Sequence, residues 1–117
     1  MTMNNILIAG AGGIGSRYLQ GLVKCETQLT IHVFDISVSS LESAKTCWNE
    51  VSGSSSIHHV IFYQELENIP LHLDLVILAT NADVRPTVVN DIILQSTVHF
   101  WVLEKVLAQS TDKINIL

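Results

Sequence analysis

The chain alternates short apolar runs with segments of helical periodicity. Apolar and β-branched residues fill five runs, which we predict to be strands: 5–9, 30–34, 59–63, 73–79 and 98–103. Continuous apolar runs of this kind are typical of strands that are buried on both faces of a parallel sheet.

Three helices are predicted between the strands. The first covers residues 13–25 and places Ile14, Tyr18 and Leu22 on one face. The second begins with a capping box at Ser39–Glu42. Its apolar stripe is formed by Leu41, Ala44, Trp48 and Val51.

The third helix is predicted to begin with Asp83 as its cap and Pro86 in its first turn. Its buried side is formed by Val89, Ile92 and Ile93. The connection 64–73 leaves room for at most one helical turn. Strands that alternate with single helices predict an α/β fold of the Rossmann type, a doubly wound parallel sheet with strand order 3-2-1-4-5.

A glycine loop follows the first strand directly. Gly10-Ala11-Gly12-Gly13-Ile14-Gly15 fits the pattern GxGxxG and opens the first helix, which is the context that a dinucleotide fingerprint requires. Gly10 would permit a tight turn, Gly12 would let a pyrophosphate approach the backbone, and Gly15 would let helix and strand pack closely. The helix N-terminus, including Gly13 and Ile14, would offer N–H groups to the phosphates.

Asp35 ends the second strand, about 20 residues after the glycine loop, where the fingerprint places an acid that binds the ribose hydroxyls. A carboxylate at this position would repel a 2′-phosphate, so we expect NAD to be preferred over NADP. Other interpretations stay open: a turn without a ligand, an exposed strand-end acid, an FAD site or a methyltransferase. Methyltransferases usually carry GxGxG, whereas Ile14 stands two positions after Gly12.

The segments LDLVILATNADVRP and VHFWVLEKVLAQST resemble the glucose–fructose oxidoreductase and inositol dehydrogenase family (Gfo/Idh/MocA). Its cofactor domain typically runs "DxVxIATP" and then "hVLxEKPLA". The resemblance covers nearly the whole chain. It implies an NAD(P)-dependent oxidoreductase that transfers hydride between nicotinamide and a hydroxyl of a sugar, cyclitol or related polyol.

By position, the resemblance implies that Thr80, Asn81 and Glu104 belong to the cofactor site and that Lys105 is catalytic. Two positions depart from the pattern. Val106 replaces the proline of the EKP motif, and Arg85 stands where many members carry a histidine near the nicotinamide ribose. These departures favour a second hypothesis, a non-catalytic module that binds or senses a nucleotide. Without the resemblance, Arg85 would be interpreted as a solvated residue of the first helical turn.

Length and composition restrict the function further. The 117 residues provide for one dinucleotide-binding domain, 1–117, and the last segment, 109–117, begins like a helix and then stops. We therefore expect that a C-terminal substrate domain is absent and that this chain alone is inactive. The last strand would then have an exposed edge, which favours self-association. A net charge of −5 argues against nucleic acid or an anionic membrane surface as partner.

Several further features indicate a cytoplasmic protein. The N-terminus has no signal peptide, and no apolar run is long enough for a membrane helix. Cys25 and Cys47 are expected to be buried thiols in two different helices, without a disulfide. The histidines show no metal-binding spacing.

Overall fold

The computed structural model describes residues 4–52, 57–80 and 83–104. Five parallel strands form one sheet in the order β3-β2-β1-β4-β5, which confirms the predicted order. The strands are β1 (Asn4–Ala9), β2 (Leu29–Phe34), β3 (His59–Tyr63), β4 (His72–Leu78) and β5 (Thr97–Leu103).

Three α-helices connect these strands: α1 (Gly13–Leu22), α2 (Val38–Ser52) and α3 (Arg85–Gln95). Between β3 and β4 the chain forms only a 3-10 helix, Leu66–Asn68, so the prediction of at most one helical turn is confirmed. The protein is thus an α/β doubly wound sheet of the Rossmann type. No helix in the described ranges is both long and apolar enough to span a bilayer.

Successive strand residues point to opposite faces, so the sheet has two cores. On one face, alternate residues of β1 and β2 pack with α1 and α2; the members include Ile6, Ile8, Ile31, Val33, Leu19, Leu41 and Trp48. On the other face, β1 and β4 pack with α3 and the 3-10 helix; the members include Leu7, Ala9, Val76, Leu78, Val88, Ile92 and Leu66. Helices therefore cover both faces, as the apolar strands predicted.

Two predicted helix faces are partly wrong. Val51 is 38% exposed because it lies in the last turn of α2 and borders an open cleft instead of the sheet. Ile93 is 59% exposed, whereas Ile92 is fully buried and Val88, one turn before it, completes the contact with the sheet. Ile92 and Ile93 are neighbours in sequence and cannot share one helix face.

The predicted helix caps are also wrong. Helix α2 begins at Val38, and the Ser37 hydroxyl accepts a hydrogen bond from the N–H of Ser40 at 3.2 Å, so Ser37 is the cap. Glu42 instead pairs with Lys45 at 3.6 Å. Helix α3 begins after Val84 without a side-chain cap, and its Pro86 brings no N–H that would need one.

The two cysteines are not buried as a pair. Helix α1 ends at Leu22, so Cys25 lies beyond the helix and is exposed, while Cys47 is half-buried in α2. Both are free thiols. Within the described ranges, no group of three or more His, Cys, Asp or Glu residues could hold a metal ion.

Strand β5 is an edge of the sheet, and Phe100 and Leu103 on it are exposed. Self-association through this edge stays a prediction. Residues 53–56 and the segment 109–117 lie outside the described residues.

A buried histidine links the first three strands. His32, only 3% exposed, contacts the Tyr63 hydroxyl through Nδ1 at 2.9 Å and Asn5 Oδ1 through Nε2 at 3.1 Å. The neutral imidazole satisfies both contacts when Tyr63 donates to Nδ1 and Nε2–H donates to Asn5. Burial, reinforced by the nearby charge of His59, lowers the pKa of His32 below its ordinary value of 6.5.

This lowered pKa gives a pH dependence of stability. Below about pH 6.5, His32 is protonated in the unfolded chain but stays neutral in the folded protein. The free energy of unfolding therefore decreases as the pH falls. We expect the melting temperature to decrease from about pH 7.5 to about pH 5.5, and His32→Gln to make that decrease smaller. His99→Gln, at an exposed position of β5, is the control and should follow the parent. Equal slopes for parent and His32→Gln would contradict this assignment.

Candidate functional site

The glycine loop lies where the two helix layers separate. Helix α1 follows β1 on one face of the sheet, and α3 follows the adjacent strand β4 on the other. Between the carboxyl ends of these two strands a doubly wound sheet leaves a crevice, the usual ligand site of such folds. Gly10, Asp35 and Thr80, which follow β1, β2 and β4, lie at this edge and line one cleft.

Gly10 and Gly15 are required by the fold itself. Gly10 has a φ of +107°, and a Cβ there would lie 2.7 Å from the carbonyl carbon of Ala79. Its N–H donates to the Phe34 carbonyl at 2.8 Å, so the turn is held between β2 and β4. A Cβ on Gly15 would lie 1.8 Å from the carbonyl oxygen of Gly10. The predicted tight turn and close helix packing are both present.

Gly12 and Gly13 border open space. A Cβ on either residue would meet nothing within 4 Å, and no side chain caps the N-terminus of α1. Of Ile14 only the backbone is described, in the first turn of α1. The N–H groups of a first helical turn have no partner within the helix, so an anion could approach them here.

Asp35 holds the glycine loop against the start of α2. Its Oδ2 accepts a hydrogen bond from the N–H of Ala11, and its Oδ1 accepts one from the N–H of Ser37, both at 2.8 Å. A carboxylate has about four acceptor positions, so each oxygen keeps a free lone pair for a further donor. The sequence did not reveal this bracing contact, because it joins residues that are distant along the chain.

The cleft beside Asp35 has a volume of about 570 Å³, within the range of ligand pockets. Its polar lining consists of Asp35, Ser37, Ser40, Thr80, Asp83, Thr87 and Asp91. Its apolar lining consists of Phe34, Ile36, Leu66, Ala79, Val84 and Val88. A larger open cleft, of about 830 Å³, lies near Arg17 and Lys24, away from the carboxyl ends of the strands.

Arg85 contacts the backbone of Thr80 at the end of β4. Nη2 of Arg85 donates to the carbonyl oxygens of Leu78 at 3.3 Å and Thr80 at 3.2 Å. The interpretation of Arg85 as a solvated residue is therefore wrong, because these carbonyls hold its guanidinium inward. Thr80 lines the cleft, and its Oγ1 is buried without a hydrogen-bond partner in the described part of the chain.

Three other predicted site residues, Glu104, Asn81 and Lys105, are not among the described residues that line the cleft. Glu104 follows β5, and its N–H donates to the Leu78 carbonyl at 3.0 Å; its side chain is not part of the described cleft lining. Asn81 and Lys105 lie outside the described residues.

No family model matches the chain, and no curated protein matches it. Among solved structures, the fold is similar to that of a diketoreductase. That protein is described as carrying out substrate-directed dual catalysis of dicarbonyl compounds. The TM-score is 0.66 at 15% sequence identity, over 98% of this chain and 46% of that one. The chain thus spans less than half the length of this structure. At this identity the similarity establishes the fold.

The glycine contacts predict different responses to added methyl groups. Gly15→Ala places a Cβ against the Gly10 carbonyl, and overpacking of this kind costs about 1–3 kcal/mol or more, which corresponds to a decrease of roughly 10 °C in melting temperature. Gly13→Ala meets open space and should leave the melting temperature unchanged or raise it. Thermal unfolding followed by circular dichroism compares the two, and similar destabilisation by both variants would contradict the packing argument.

Proposed function

We propose that this chain is the dinucleotide-binding domain of an NAD(P)-dependent oxidoreductase and that NAD is its preferred cofactor. The observation that carries the proposal is the position of Asp35. Its carboxylate stands at the carboxyl end of β2, beside the glycine loop, and both oxygens are oriented by backbone N–H groups. The remaining lone pairs fit the two hydroxyls of an adenosine ribose.

The glycine loop supports the pyrophosphate part of the site. The chain carries a net charge of −5, so a dinucleotide must be bound by a local device and not by overall attraction. The uncapped first turn of α1 supplies N–H groups and the positive end of a helix dipole. The open space at Gly12 and Gly13 lets a phosphate reach them.

Thr80 supports a ligand at the end of β4. Its Oγ1 is buried and lacks a partner in the described part of the chain, although it lines the cleft. A buried hydroxyl without a partner costs free energy, and a bound ribose or amide would supply the missing hydrogen bond. NAD would bring the carbon that accepts or returns hydride, while these residues bind and orient it.

We further propose that the substrate is a sugar, cyclitol or related polyol and that the chain is a member of the Gfo/Idh/MocA family. The support is the sequence VHFWVLEKVLA, which begins within β5. In it, Glu104 and Lys105 stand at the positions of the family's EK pair. The diketoreductase shares the fold and brings no evidence about the substrate. The substrate domain and the polyol reaction are part of this proposal, as is the inactivity of the present chain alone.

One observation favours a second function, a nucleotide-binding module without catalysis. Arg85 takes the position of a family histidine, and its guanidinium is bonded to the carbonyls of Leu78 and Thr80. A group held in this way does not offer the nicotinamide ribose the contact that the histidine would make. Turnover by the complete protein distinguishes the two functions.

The proposed role of Asp35 predicts the choice of cofactor. We expect NAD⁺ to bind at least about tenfold more tightly than NADP⁺, because in NADP⁺ a 2′-phosphate replaces the 2′-hydroxyl donor and its negative charge would face the Asp35 carboxylate. Isothermal titration calorimetry with both cofactors measures the ratio.

Asp91→Asn is a matched control for this ratio. Asp91 lies on α3 and lines the same cleft, so the variant removes one negative charge without touching Asp35. The ratio of the two affinities should stay that of the parent. Equal binding of both cofactors by the parent would remove Asp35 from its assigned role, and failure to bind either would refute the proposal.

Lys105 is the proposed acid–base group of the complete enzyme. A hydroxyl that gives up hydride must also lose a proton, and one such group typically accounts for about a hundredfold in rate. We expect Lys105→Ala in the protein with its substrate domain to lower kcat by about that factor and to leave the Kd for NAD⁺ nearly unchanged. Lys24→Ala, at an exposed lysine that follows α1, is the control for kcat. Normal turnover of Lys105→Ala would show that the EK pair is structural here.

A further inference from the structure

Arg85 makes an unusual set of contacts for a residue at the start of a helix. One nitrogen, Nη2, bridges the carbonyl oxygens of Leu78 and Thr80, and Nε is buried without a partner in the described part of the chain. Arginine carries its donors on a rigid plane, so two carbonyls bound to one end of it are fixed in relation to each other. The guanidinium thus connects the end of β4 to the first turn of α3.

The same contacts extend to β5. The Leu78 carbonyl that accepts from Arg85 also accepts from the N–H of Glu104 at 3.0 Å. Arg85 therefore shares one carbonyl acceptor with the chain that follows β5, the neighbour of β4 in the sheet. The Thr80 carbonyl is its second acceptor, and the buried Thr80 hydroxyl has no hydrogen-bond partner among the described residues.

We propose that Arg85 is a positioning residue of the cofactor site: it fixes the backbone at Thr80 so that the Thr80 hydroxyl is presented to the bound dinucleotide. This inference rests on the proposed function. It assigns Arg85 no contact with cofactor or substrate; the two hydrogen bonds described for it, both donated by Nη2, go to backbone carbonyls. Hydrogen bonds from a charged donor are stronger than those from a neutral one, so the contact suits a turn that has to keep one conformation.

The first arm of the test uses the chain without ligand. Arg85→Met keeps the apolar stem and removes both carbonyl bonds. Backbone amide exchange should become faster by about tenfold or more at Glu104, whose N–H shares the Leu78 carbonyl with Arg85, and at Val88, whose N–H closes the first turn of α3 on Val84. It should stay unchanged at Ile8 within β1. Arg17→Met removes the same charge from an exposed position on α1 and should leave these rates unaltered.

The second arm measures the Kd for NAD⁺ by calorimetry. We expect Arg85→Met to weaken binding by about tenfold, a typical size for coupling between two positions of a site. Arg85→Lys should recover part of the affinity, and millimolar guanidinium should restore part of it to Arg85→Ala. Arg17→Met should bind as the parent does.

A double-mutant cycle separates positioning from general loss of stability. Thr80→Val removes the hydroxyl, and if Arg85 acts through Thr80, this change should cost much less in the Arg85→Met background than in the parent. Additive losses would overturn the proposal, as would parental exchange rates in Arg85→Met. If the parent binds no dinucleotide, the proposed function fails, and the exchange arm alone then decides whether Arg85 fixes this turn.

Discussion

The close approach of backbone to backbone at the glycine loop is the constraint on which the rest of the site depends. Gly10 passes between β2 and β4, donating to Phe34 and lying within van der Waals distance of Ala79. Gly15 then rests against the Gly10 carbonyl. Because a Cβ at either position would collide with backbone, α1 can start at this point only with glycine there. Its N-terminus is thereby directed to the end of the sheet.

Asp35 completes this arrangement, and its role is double. Its two hydrogen bonds join the glycine loop to the first residues before α2, so it fixes the distance between two of the elements that form the cleft. The same bonds orient the carboxylate and leave it able to accept more donors. A replacement of Asp35 would thus change the loop and the ribose contact together, which is why the choice of cofactor is better tested with the parent chain.

Periodicity along the chain was enough to predict the strands, their order and the short connection before β4, because these follow from which residues must be buried. Features that depend on distant contacts were not predictable. The inward guanidinium of Arg85 depends on how the start of α3 meets the end of β4, and the exposure of Ile93 depends on how α3 meets the sheet. The cap at Ser37 is a local contact with Ser40, but Ser39 offers a competing capping box. For Arg85, the proline after it suggested only a helix start, and nothing local indicated the carbonyls of β4 as its partners.

The glycine fingerprint also separates into residues that the fold needs and residues that it does not. Gly10 and Gly15 are explained by packing, and a turn without a ligand would need them equally. Gly12 and Gly13 have no neighbour that excludes a side chain, and a glycine in a helix start without such a neighbour only increases the entropy lost on folding. The buried Thr80 hydroxyl, which has no partner within residues 4–52, 57–80 and 83–104, likewise costs free energy in the protein alone. Neither the two glycines nor the Thr80 hydroxyl stabilises the folded chain. These features therefore support a ligand more strongly than the match to the complete GxGxxG motif does.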